Sequence, residues 1–253
     1  MKHVVHGTAA RYHDRAMDAY VGTSGYQYDF WRGSLYPEGL DKKEMLAAYA
    51  QHFRSVEVNN TFYRMPKTEV VQRWADATPD AFRFVIKASR RITHSARLED
   101  ADSVNYLFKV LQPLGDKLGA VLFQCPPFLR KNTDLLRNFL AVLPEGAPAV
   151  LEFRHVSWFC DEVYDVLREG PAAMSLGDYE GKGSSDALEN GCMPNVATAP
   201  WGYARLRDDD YDDAALARWA DVLRADWNRV FVFFKHEETA PANARALAAL
   251  LAT

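Results

Sequence analysis

The sequence predicts an α/β protein, a single TIM-type (β/α)8 barrel in which the helix after the sixth strand is missing or degenerate. Three observations carry that expectation. Short runs rich in Val, Phe, Ile and Leu alternate with amphipathic stretches of helical period, and eight such strand runs can be counted. The chain is 253 residues long, a length at which single barrels are common. No linker and no sequence-level repeat divides it.

In order, the strand runs are residues 20–24, 55–59, 82–88, 119–125, 149–154, 172–178, 202–207 and 230–236. Helical patterns fall between them at 40–53, 68–77, 102–114, 132–143, 158–170 and 212–226, with a last one at 240–252. Asn132, Asp212 or Asp213, and Thr239 followed by Pro241 supply helix starts. After the sixth strand, EGKGSSDALENGCMPNVATAP (180–200) is rich in Gly, Ser, Asn and Pro and reads as a loop. The runner-up is a doubly wound open sheet. Against it, the first turn, GTSGYQY, lacks the G-x-G-x-x-G spacing of a dinucleotide fold. Residues 1–19 are polar without a clear repeat and read as an N-terminal extension; residues 20–253 form the barrel domain.

Composition is that of an ordinary globular chain, 48% hydrophobic and 25% charged. The net charge of −4 argues against a protein that coats nucleic acid generally. The three cysteines, Cys125, Cys160 and Cys192, form no C-x-x-C pair, which suits a reducing compartment without structural disulfides. There is no secretory h-region and no run of membrane-spanning length, so a cytoplasmic protein without a membrane partner is expected.

In a barrel one strand face meets the helices and the other fills the interior. Charged residues therefore sort to the inner face, near the strands' C-terminal ends. By this parity Val56, Val58, Phe84, Ile86, Phe123, Leu151, Phe153 and Leu206 face the helices. Glu57, Asn59, Lys87, Gln124, Glu152, Arg154, Tyr203, Arg205 and Arg207 face inward, and Lys235 shares a face with Phe231 and Phe233. Asp178 ends the sixth strand. Glu57 and Glu152 stand against Lys87, Arg154, Arg205, Arg207 and Lys235, a surplus of about three cations in one confined mouth. Like charges at short range repel in a partly dry site, and guanidinium forks suit carboxylate or phosphate. The expected partner is a small anionic ligand, with an ion-pair ladder as the alternative. KHEETAPAN, after the last strand, has no glycine for a backbone phosphate grip, so side chains would do the holding.

Seven motifs then occur in order: GTSGY, LYPEGL, SVEVNNTFYRMP, FRFVIKA with RITH close behind, LGAVLFQCPP, EFRHVSWF and FFKHEE. Together they resemble the YecE-like family, also called domain of unknown function 72, from about Tyr20 to the C-terminus. The resemblance implies a TIM barrel and no particular activity. Many members resemble R-L-H-G at the seventh strand and carry an Asn pair after the eighth. This chain has Arg205-Leu206-Arg207-Asp208 and Lys235-His236-Glu237, a more charged mouth.

Tyr26, in the loop after the first strand, with Tyr63 and Trp158 from other loops, offers flat surface for a sugar ring or a base. Phe30 and Trp31 read instead as packing of that loop onto its helix. Glu57 and Glu152 make an acid/base pair, and His94 and His155, just past strand ends, can shuttle protons. No cofactor is expected. Glu57, Glu152, Asp178 and His236 suggest a divalent metal by fold analogy alone, and the cationic surplus opposes it. The leading expectation is an enzyme on a small anionic substrate such as a sugar phosphate. A nucleic-acid-binding or nucleic-acid-processing protein and a noncatalytic metabolite sensor are the alternatives.

Overall fold

The fold comes from a computed structural model that describes residues 17–170, 172–178, 193–209, 211–235 and 237–252. All eight expected strand runs are strands, and every strand pairing is parallel. They are β1 (Asp18–Thr23), β2 (Ser55–Val58), β3 (Arg83–Lys87), β4 (Leu118–Gln124), β5 (Ala149–Glu152), β8 (Gly202–Leu206) and β9 (Arg229–Phe234). The sixth run gives two short pieces, β6 (Ala173–Met174) and β7 (Leu176–Gly177).

The expectation of one continuous barrel sheet is met only in part. The strands form a four-stranded sheet ordered β1-β9-β8-β7 and a five-stranded sheet ordered β2-β3-β4-β5-β6. The break at Ser175 has a local cause, because β6 pairs with β5 while β7 pairs with β8. At the other seam an isolated bridge joins Ser24 to Glu57, and the Gly25 N–H donates to Glu57 O at 2.8 Å. Gly22 makes that seam: a Cβ there would overlap the Ser55 carbonyl. Gly177, at φ 147°, lies equally close to the Arg205 carbonyl and sets Asp178 at the end of β8.

Strand parity produces two cores. Tyr20, Val85, Ala120, Leu122, Val150, Ala173, Tyr203, Phe231 and Phe233, drawn from both sheets, pack as an inner cluster. The outward residues named above, Val56 through Leu206, pack in the larger cluster under the helices. The sheets therefore face one another across a filled interior.

The helices are α1 (Met45–Tyr49), α2 (Thr68–Asp76), α3 (Ala101–Leu111), α4 (Thr133–Val142), α5 (Asp161–Glu169), α6 (Asp213–Asp226) and α7 (Ala240–Leu251). Asn132 and Asp212 cap α4 and α6, accepting from the N–H groups of Leu135 (3.0 Å) and Ala215 (2.6 Å). Thr239 precedes α7 without a side-chain cap, and Pro241 lies in the first turn. The helix expected over 40–53 shrinks to α1. The Leu40 carbonyl, which a longer helix would offer to the Glu44 N–H, is taken by Arg32 Nη1 at 2.6 Å, and the Glu44 N–H turns to Asp41 O at 2.9 Å. Residues 193–200 carry no helix. The rest of the glycine-rich loop and residues 1–16 lie outside the described residues. Asp18 and Ala19, expected in the extension, begin β1. No helix among the described residues is long and apolar enough to cross a membrane.

Candidate functional site

Parallel strands bring their C-terminal ends to one edge, where the inward charges converge. Glu57 and Glu152 are fully buried, and Arg205, 1% exposed, lies between them. Arg205 Nη2 pairs with Glu57 Oε1 at 2.9 Å and Nη1 with Glu152 Oε2 at 2.7 Å. Because β8 belongs to one sheet and β2 and β5 to the other, this guanidinium ties the two sheets together.

Glu57 collects four donor groups, about the number of lone-pair sites an ionised carboxylate offers, and Glu152 collects three and a further ion pair. Besides Arg205, Glu57 accepts from Ser24 Oγ (2.7 Å), Asn59 Nδ2 (2.9 Å) and the Tyr203 hydroxyl. Glu152 Oε1 accepts from Gln124 Nε2 (2.7 Å) and Arg154 Nε (2.8 Å), and Arg207 Nη2 lies 2.9 Å from it. Burial opposes ionisation of both, but the arginines and the hydrogen bonds outweigh it. Glu57 stays below the usual carboxylate range and Glu152 well below. Tyr203, buried beside Glu57, is pushed well above the usual phenol range. Asn59 Oδ1 and Arg205 Nε, both buried in the cluster, have no hydrogen-bond partner among the described residues.

Asp178 does not join the glutamates. It accepts from the Arg207 N–H and the Tyr211 hydroxyl, and burial raises its pKa against those bonds. Its charge trims the expected surplus of three cations to two, and Glu152 serves three arginines at once. The ion-pair alternative thus describes Arg205 and Arg207 well, both nearly fully buried.

Lys87 is different. It makes no ion pair and no hydrogen bond through its amine among the described residues; Nζ sits 4.3 Å from the centre of the Phe62 ring. Burial first, then the charges of Arg205 and Arg154, bring its pKa down to about 8, against the opposing pull of Glu152 and Glu57. His94 packs edge-on to the same Phe62 ring, 5.0 Å between centres, with Nδ1 2.8 Å from Thr93 Oγ1. Burial, Lys87, Arg90 and Arg154 hold it below the usual histidine value. Lys235 is half-buried just past β9, its N–H donating to Leu206 O at 2.8 Å.

Other expected residues have structural positions. His155 Nδ1 accepts from the Ser157 N–H at 3.1 Å and caps a single turn. Trp158 is buried, stacks on Phe153 at 4.5 Å and donates Nε1–H to Leu129 O at 2.7 Å, so it walls no ligand site. Tyr26 is buried beside Tyr49, 6.2 Å between ring centres, though it also borders a 240 Å³ cavity with Gly25, Tyr28 and Asn59. Tyr63 is 82% exposed. Trp31 packs as expected, its Nε1–H on Glu237 O at 2.7 Å, whereas Phe30 is 55% exposed. His236 lies outside the described residues. Among the described residues no group of three or more His, Cys, Asp or Glu could hold a metal ion.

Sequence reading missed Tyr203 and Ser24 as partners of Glu57, Phe62 beneath Lys87, and Tyr211 on Asp178. For Tyr203 the signal was there, since it shares parity with Arg205. Tyr211 reaches Asp178 through a loop, and no local pattern marks it.

Fold and site define an α/β protein of parallel sheets whose strand ends enclose a buried glutamate–arginine cluster. The chain belongs to the family described as "Protein of unknown function DUF72", which matches residues 20–253. It is 32% identical over 157 residues to UPF0759 protein YunF of Bacillus subtilis (strain 168), covering 58% of this chain and 54% of that one. It is 38% identical over 116 residues to UPF0759 protein YecE of Escherichia coli (strain K12), covering 45% of this chain and 43% of that one. These matches span about half the length of the curated relatives. A DUF72 family protein of Thermotoga maritima (TM1631) has a similar crystal structure, with TM-score 0.76, 23% identity, and 92% of this chain and 99% of that one covered. That likeness shows the fold.

Proposed function

We propose that this protein is a cytoplasmic enzyme that binds a small phosphorylated or carboxylated substrate at the C-terminal edge of its strands. In this reading the two sheets are halves of one (β/α)8 barrel, joined at the Ser24–Glu57 bridge and continuous through Ser175. The observation that carries the function is the mismatch of charge. Four cations, Arg154, Arg205, Arg207 and Lys87, gather about two carboxylates, Glu57 and Glu152, and among the described residues Lys87 makes no ion pair of its own. Arg154, more exposed than Arg205 and Arg207, and Lys235 hold the anion. Glu57 and Glu152, ionised and held by hydrogen bonds and ion pairs, fix Arg205 rather than move protons. Lys87 and His94, both nearer to neutrality, handle the protons.

The test is thermal unfolding with inorganic phosphate, sulfate, sugar phosphates and short oligonucleotides, for the native chain and for Arg154→Gln. A ligand bound only by the folded state raises the melting temperature. Phosphate compounds should stabilise the native chain and do so less in the variant. Equal stabilisation of both would remove the assigned grip. Stabilisation by oligonucleotide alone, falling steeply with salt, would favour nucleic-acid binding.

A further inference from the structure

We infer that Lys87 is a catalytic nucleophile, and that its amine condenses with the carbonyl carbon of an anionic aldehyde, ketone or oxo acid to form an iminium. The inference rests on the anion reading and deepens it by naming the substrate class.

The geometry is that of an amine with no ion-pair or hydrogen-bond partner among the described residues. Lys87 ends β3, at the mouth. The two nearby carboxylates are committed to other donors, Glu57 of β2 to Arg205, Ser24, Asn59 and Tyr203, and Glu152 of β5 to Gln124 and three arginines. Phe62 covers one side of Nζ. Arg205 of β8 and Arg154 just past β5 face it with charge of its own sign, against the pull of Glu152 and Glu57, and His94 on the following turn is held below the usual histidine value. A lysine so placed is a poor salt-bridge partner and a good nucleophile, because desolvation and like charge both favour the free amine. A merely structural lysine would do better beside a carboxylate.

The step needs no oxidant or reductant. The Nζ lone pair attacks the carbonyl carbon, and a C–N bond forms as the C=O π pair moves to oxygen. The nitrogen gives up a proton, that oxygen gains two, and water leaves with the C–O bonding pair as the C=N bond closes. One carbonyl compound, one neutral amine and one proton become one iminium and one water. His94 relays protons between nitrogen, oxygen and solvent. The arginines hold the substrate's anionic group, and the cationic iminium draws electrons from the adjacent carbon.

The ordinary lysine pKa is 10.5, and Lys87 stands at about 8. At pH 7 this gives about 300-fold more free amine. A weaker base is also a weaker nucleophile, which takes back about tenfold if amines follow the dependence known for thiolates. An advantage of roughly 20-fold or more over an ordinary surface lysine remains.

The experiment is trapping on the native chain with glyoxylate, dihydroxyacetone phosphate or propionaldehyde in the presence of cyanoborohydride, which reduces an iminium to a stable amine. Peptide mass spectrometry then locates the adduct. Lys87 should be labelled first, with a pH midpoint near 8, and faster by the two anionic compounds than by propionaldehyde. Lys87→Arg should abolish the fast adduct and keep stabilisation by phosphate. Labelling of Lys87 at the rate of other lysines, or with an ordinary lysine midpoint, overturns the inference even if phosphate binds. Fast labelling of Lys87 without preference for an anionic compound keeps the nucleophile and removes the anion reading.

Discussion

Replacing Arg205 with Met should destabilise the protein in a way that depends on pH. The substitution keeps roughly the length of the side chain and removes the cation between two buried carboxylates. Removing one partner of a buried pair typically costs about 3–5 kcal/mol, because the other charge is stranded. Here the effect should be unequal. Glu152 keeps Arg154, Arg207 and Gln124, whereas Glu57 keeps only neutral donors. Glu57 therefore carries most of the cost, and the lower part of that range, about 3 kcal/mol, is the expected loss at pH 7.5. In the native protein Glu57 lies below its ordinary value. Its contribution is present above the unfolded-state pKa and is lost as pH falls through the folded-state pKa. In the variant burial is no longer countered by a cation, so the folded-state pKa of Glu57 rises above the unfolded one. The sign then reverses: the protonated side chain is tolerated at low pH, and stability is lost as pH rises through the new pKa. Urea unfolding at pH 5 and pH 7.5 should show the deficit shrinking on acidification, and Glu57→Gln should recover part of it at pH 7.5. A deficit below about 1 kcal/mol, or one that neither acid nor Glu57→Gln relieves, would refute the stranded charge of Glu57 as the source of the cost.

Gly22→Ala places a Cβ against the Ser55 carbonyl, a backbone atom that cannot turn aside. A loss of about 2–3 kcal/mol in urea unfolding is expected, at the upper end for overpacking, and a neutral result would contradict the close seam. Trp158→Phe removes the bond to Leu129 O but keeps an aromatic ring on Phe153. Stability should fall by about 1–2 kcal/mol with ligand affinity unchanged; a lost affinity would return Trp158 to the site. His94 should titrate below the usual histidine midpoint by NMR, and Lys87→Met should move the midpoint upward by removing a nearby cation. A midpoint unmoved by that variant would place the amine elsewhere.

The sequence was most informative where burial obeys a period of two. A charge on a strand buried on both faces has one place to go, so parity alone assigns Glu57, Lys87, Glu152, Arg154 and Arg205 to one edge. The same rule orders the helix-facing residues from Val56 to Leu206. Pairing is beyond the rule, because it depends on side-chain reach across strands whose register no local pattern states. Counting charges therefore overstated the open cationic field. The count left out Asp178, and it could not show that Glu152 is shared by three arginines while Lys87 has none of the acids. Aromatic residues in loops were the least legible. Trp158, Tyr26 and Tyr63 differ little in composition of their surroundings, yet the first two are buried and the third is exposed. Loop path decides between those outcomes, and the hydrogen bonds that fix it, such as Arg32 to Leu40 O, involve carbonyls that a sequence does not mark.

The order in which the chain emerges matters for the first strand and for the buried glutamates. Among the described residues β1 takes its ladder partner from β9 alone, with Asp18 opposite Arg229. Glu57 waits for Arg205, 148 positions further along the chain. During synthesis, β2 to β5 are complete while Glu57 still lacks its guanidinium, whereas Glu152 has Arg154 two positions further on. The segment through β5 is therefore poorly suited to stand as a settled piece, and a nascent chain must keep the Glu57 side chain wet until Arg205 has left the ribosome.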